Sequence, residues 1–140
     1  MTAYPISHIV GLDRAGVFKS VGIRTTLGLL DRGALVRDRV ALYASILART
    51  SDLTREMILD YINAADILRI RLLGIKYIGL LRASKVATVR ELKYRNADNL
   101  YDTMAACNAR MDMVDFLPPL PHVRRWIEHA KQLPIRITYR

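Results

Sequence analysis

Ile9-Val10-Gly11-Leu12 can be laid over Leu72-Leu73-Gly74-Ile75, and the agreement then continues without a gap at an offset of 63 residues. Gly16 falls on Gly79, Val17-Phe18 on Leu80-Leu81, Ser20 on Ala83, Ile23 on Val86, Thr25 on Thr88 and Leu29 on Leu92. Farther along, Tyr61-Ile62 with Ala65 matches Trp126-Ile127 with Ala130 at an offset of 65, so two residues are gained in between. Self-similarity at a near-constant offset is the mark of a repeated supersecondary unit. The intervening segments, roughly 36–50 and 98–113, match poorly and read as corresponding helices that have drifted.

Each copy has the same grammar. A short apolar stretch leads to a Gly turn and a helix of about two turns. A tight connection follows, then a second helix capped by Thr, then two longer helices. Gly22 suits the end of the first helix, where a positive φ is needed, and Thr25 suits the next N-cap. Thr88 and Glu91 have the spacing of a capping box. Val40, Tyr43, Ala44 and Leu47 recur at helical spacing, as do Ile58, Tyr61, Ile62 and Ala65 after Thr54. Pro121 can open the last helix, which turns Val123, Trp126, Ile127 and Ala130 inward. The fold expected is all-α and internally duplicated, with 1–68 as the first repeat and 69–134 as the second. Residues 135–140 form a basic C-terminal tail. Its strict apolar–polar alternation leaves two readings open, a frayed end or a short extended segment docked on this protein or a partner.

Composition sets the function classes. A hydrophobic share of 51% supports a packed core, and 25% charged residues is ordinary for a globular chain. No apolar run is long enough to span a bilayer, and the first residues lack the pattern of a secretory leader. A cytoplasmic location without membrane contact is expected. The single cysteine, Cys107, excludes an intramolecular disulfide and a Cys-rich zinc site. Net charge is +9 and is unevenly spread. Residues 1–68 hold eight Arg/Lys and seven Asp/Glu, whereas residues 69–140 hold fourteen and six. Between Arg69 and Arg95, eight cations face one acid, Glu91. Such a run suits a polyanion, and equally a solvated face.

Gly-apolar followed by a short helix, a tight exit and a Thr-capped helix resembles the helix-hairpin-helix motif. Gly11-Leu12 and Gly74-Ile75 match the first two positions of that motif, while Asp13 and Lys76 stand where a second Gly is usual. With Trp126, Ile127, Ala130 and Lys131 added, nearly the whole chain is similar to a bacterial family of tandem helix-hairpin-helix proteins of unknown function. That resemblance implies backbone N–H groups near a phosphate at a helix start, and binding that does not read bases. The implied site is Arg69, Arg71, Gly74, Ile75, Lys76, Arg82 and Lys85, with a weaker one at Gly11, Leu12, Arg14 and Lys19. Asp13 would repel a phosphate; Lys76 would attract one.

Catalytic chemistry is not in view. His8, His122 and His129 lack Cys or acidic partners at ligand spacing, so no metal and no cofactor are expected. There is no Ser/His/Asp pattern, nucleotide loop or carboxylate cluster. Asp112 and Asp115 read as loop borders, and Tyr61 and Trp126 as core. The expected function is non-enzymatic, sequence-nonspecific binding of nucleic acid, DNA in the first place. The alternative is a protein–protein scaffold or assembly factor, whose partner would be an acidic protein.

Overall fold

A computed structural model describes residues 3–139. The chain divides into two compact units. One takes in the residues up to Arg69 together with those from Arg136 on; the other is Ile70–Ile135. Both are helical, and among the described residues the extended pairing is limited to an isolated bridge between Pro5 and Thr25.

The first unit contains α1 (Ser7–Val10), α2 (Leu12–Ser20), α3 (Thr26–Gly33), α4 (Val36–Leu47) and α5 (Arg55–Ile67). Gly11 separates α1 from α2 at φ 86, a left-handed value that suits a residue without Cβ. Thr25 Oγ1 accepts the Gly28 N–H at 3.0 Å and so starts α3; Thr54 Oγ1 accepts the Met57 N–H at 3.2 Å and starts α5. Replacing Thr25 by Ala leaves a free N–H at the start of α3. The expected loss is about 1 kcal/mol of stability, readable as a shift in the urea midpoint, and a wild-type midpoint would contradict the capping role. The core of the unit joins Ile6, Phe18, Ile23, Leu29, Leu30, Leu42, Ile46, Ile58 and Ile62.

The face of α4 differs from the one expected. Leu42 and Ile46 point inward with Arg39, whereas Val40 and Ala44 are exposed. The reason lies in Arg39. Its guanidinium donates to the carbonyls of Gly33 and Ala34, both at 2.9 Å, and to that of Thr138. The end of α3 needs donors for its last carbonyls, and a buried arginine provides them.

Residues 136–139 are docked on this unit. The Thr138 N–H donates to the Ala34 carbonyl at 2.9 Å, Thr138 Oγ1 accepts the Val36 N–H at 3.2 Å, and Arg136 pairs with Asp31 at 2.9 Å. Ile137 is buried in the core. Arg140, the last residue of the expected tail, lies outside the described residues.

The second unit opens with a 3-10 turn (Ile75–Tyr77) and continues through α6 (Ile78–Ala83), α7 (Val89–Lys93), α8 (Ala97–Met111) and α9 (Leu120–Gln132). Here α9 packs on α7 and α8, and α6 on α8. Val123, Trp126, Ile127 and Ala130 are all buried, with Trp126 tilted against Tyr77 at 5.6 Å between ring centres. Pro121 lies in the first turn of α9. Thr88 is the N-cap of α7, but its hydroxyl donates to the Glu91 carboxylate and caps no backbone N–H. Cys107 is buried, with its thiol 3.6 Å from the Ala83 carbonyl.

Candidate nucleic-acid interface

The two glycine turns have nearly one backbone. Gly11 lies at φ 86, ψ 161 and Gly74 at φ 81, ψ 160. The correspondence extends to the far side of each hairpin. In the first, the N–H groups of Val21, Gly22 and Ile23 donate to the carbonyls of Phe18, Lys19 and Phe18. In the second, Ser84, Lys85 and Val86 donate to Leu81, Arg82 and Leu81. Gly22 has φ 89, and Lys85, 63 residues later, has φ 69. A lysine therefore adopts the left-handed conformation that glycine takes in the other hairpin, at a cost of about 1 kcal/mol. The hairpins part company just after the glycine. α2 starts directly after Gly11, whereas Gly74 leads into a 3-10 turn and only then α6.

Of the residues expected at the second site, the side chains of Arg71, Lys76, Arg82 and Lys85 are exposed. Lys76 reaches over the Tyr77 ring, 5.0 Å from its centre, which fixes the ammonium beside the turn. Ile75 and Gly74 are half-buried. Arg69 does not belong with this group. Its side chain is 1% exposed and donates to Asp66 at 2.8 and 3.0 Å. A guanidinium enclosed with its own carboxylate cannot reach a phosphate, so Arg69 is a packing residue of the first unit. The basic run loses two more members from its sequence count. Arg95 donates to the Ser84 carbonyl at 2.9 Å, and Lys93 to the Leu133 carbonyl at 2.8 Å.

The first hairpin is poorer in accessible positive charge. Gly11 and Lys19 are exposed, and Leu12 stands 86% exposed at the start of α2. Arg14 is held by the Tyr61 hydroxyl at 2.6 Å, and Tyr61 packs edge-on against Phe18. Asp13 is exposed in the first turn. A dianion approaching Gly11 would meet a carboxylate at the helix end that should attract it.

Among the described residues, no three His, Cys, Asp or Glu side chains are grouped to hold a metal ion, and no helix is long and apolar enough to cross a membrane. The sequence did not single out Arg125 of α9, which is exposed between His122 and His129. A signal was present: His122, Arg125 and His129 are spaced by three and four residues, which puts them on one helix side.

These features define an all-helical protein with exposed cations before, on and after α6. Residues 10–133 match the family described as Domain of unknown function (DUF4332), and the chain belongs to that family. No curated protein and no solved structure matches it.

Proposed function

We propose that the chain is a pair of duplicated helix-hairpin-helix units that binds nucleic acid, DNA in the first place, without catalysis and without reading sequence. The duplication is supported by the paired backbone angles at Gly11 and Gly74 and by the hydrogen bonds repeated 63 residues apart. It is supported again by α5 and α9, which occupy matched stretches at the offset of 65. The observation that carries the binding role is the set of four exposed cations between Arg71 and Lys85, namely Arg71, Lys76, Arg82 and Lys85. Phosphate contacts of this kind fix position on the backbone and carry no base information.

The second hairpin is the working one in this reading. If about three phosphates are neutralised, log affinity falls with log salt at a slope of roughly −2 to −3. Lys76→Glu is expected to lower that slope by about one and to weaken binding equally for unrelated sequences. Arg14→Glu is expected to matter less, because Arg14 is already engaged with Tyr61. Titration of duplex DNA at several salt concentrations checks both. Absence of salt-dependent binding near 50 mM salt defeats the nucleic-acid role, and a larger loss from Arg14→Glu defeats the asymmetry.

One observation favours a protein partner as the second reading. Met111, Met113 and Phe116 are exposed at and after the end of α8. Exposed apolar residues in one short stretch suit a protein contact. That scaffold role takes over if the salt titration is flat.

A further inference from the structure

His122, Arg125, His129 and Gln132 are spaced by three, four and three residues on α9 and therefore run along one side of it. With Arg71, Leu72, Trp126 and Glu128 they line a cleft of about 330 Å³, the size of a small-molecule site. The whole lining belongs to the second unit. The Arg71 backbone N–H donates to His129 Nδ1 at 2.9 Å, which ties the stretch before Gly74 to the helix and leaves the ring proton on Nε2.

The charges in the cleft are unbalanced. Its one carboxylate, Glu128, accepts from Lys131 at 3.2 Å. Neither Arg71 nor Arg125 has a carboxylate within ion-pair reach among the described residues. Leu72 adds a second anomaly. It has φ 64, uncommon for a residue with a branched side chain, and it is 85% exposed. The core gains nothing from a leucine held this way at the lip of a cleft, and an outlier of this kind points toward a ligand.

We propose that this cleft binds a phosphate monoester of the nucleoside monophosphate class, in which one sugar carries both the phosphate and a flat ring. Arg71 and Arg125 hold the phosphate through their planar donor forks, which suit its oxygens. His122 donates to the same group, His129 holds the Arg71 backbone in place, and Leu72 covers the ring. The ligand reaches the cleft either as a free nucleotide or as the 5′-phosphorylated end of a strand; the chemistry is shared. The site shares Arg71 with the hairpin cations, but Lys76, Arg82 and Lys85 are not part of the lining, so variants at those three separate the two roles.

Trp126 is the one tryptophan of the chain and lines the cleft, so its emission reports on this site. Adenosine monophosphate is expected to shift that emission saturably, and adenosine at equal concentration is not. Arg71→Ala and Arg125→Ala are each expected to weaken the response about tenfold, the scale of a charge-assisted contact. Lys76→Glu should leave it unchanged. A strand with a 5′-phosphate that outcompetes the nucleotide, against a 5′-hydroxyl strand that does not, assigns the strand end; competition by neither assigns the free nucleotide. An absent response, an equal response to adenosine, or a response surviving the double variant overturns the proposal. If the double variant loses its helical circular dichroism, the wild-type imidazole resonances of His122 and His129 decide, since they must move when nucleotide is added. Loss of salt-dependent duplex binding with the nucleotide response intact would sink the hairpin role and leave this one standing.

Discussion

Asp66→Ala is expected to destabilise the protein by about 3–5 kcal/mol. Asp66 and Arg69 are 2% and 1% exposed, and they meet at 2.8 Å. Taking two charges out of water is costly, and their mutual attraction in a poorly polarisable surrounding offsets that cost. Deleting the carboxylate takes from the enclosed guanidinium the partner that it meets at 2.8 and 3.0 Å. The double variant Asp66→Ala, Arg69→Met removes both charges and keeps the volume of the long side chain. It is therefore expected to be more stable than Asp66→Ala alone. Urea unfolding followed by circular dichroism measures both. A loss below about 1 kcal/mol for Asp66→Ala would mean that Arg69 reaches water. Arg69 would then return to the candidate phosphate contacts, and the salt slope of binding would have to be measured for it as well.

Gly33→Ala is expected to cost about 1–3 kcal/mol from overpacking, lessened by about 0.5–1 kcal/mol because alanine is the better helix residue. A Cβ on Gly33 would lie 2.5 Å from Ile62 Cδ1 and 2.8 Å from its Cγ1. Ile62 is fully buried on α5, where α3 packs against it, so its side chain has no open space to swing into. The test is a double-mutant cycle with Ile62→Ala. That change alone should cost about 2–5 kcal/mol by leaving a cavity. Together the two should cost clearly less than their sum, because the added methyl occupies part of the space removed. Strict additivity would show that the two positions do not touch.

Much of the helical plan was legible because apolar spacing reports burial directly. Val123, Trp126, Ile127 and Ala130 were readable as one inward face, and so were Ile58, Ile62 and Ala65. The helix starts after Thr25 and Thr54 were readable because a threonine before an apolar helical pattern suits an N-cap, and both hydroxyls do accept an N–H. The capping box expected at Thr88 fails because its hydroxyl goes to the Glu91 carboxylate, and the other failures concern arginine. A periodicity count assumes that a cation faces water, so it rotated α4 away from Arg39 and put Arg69 on the surface. Arg39 is inside because three backbone carbonyls need a donor there, one of them 99 residues away in sequence. No local pattern announces a contact of that range. Arg69 did carry a local sign, since Asp66 stands three residues before it in a run with Ile67, Leu68 and Ile70. An opposite pair set in an apolar run is a candidate for burial as a pair. The cleft on α9 was partly legible. Its helix side could be drawn from sequence, but the Arg71-Leu72 stretch that faces it could not.

The docked segment at 136–139 makes the first unit discontinuous: the whole of Ile70–Ile135 intervenes between its two pieces. On a ribosome, domains generally fold in the order of their synthesis. Here that order is broken. When Arg69 emerges, the pocket that will receive Ile137 is still empty, and the Arg39 guanidinium lacks its third carbonyl. The second unit has all of its residues before the first unit has all of its own. Of the two units, the one begun first is thus completed second, and its final packing step is the arrival of a four-residue strap rather than the collapse of a core.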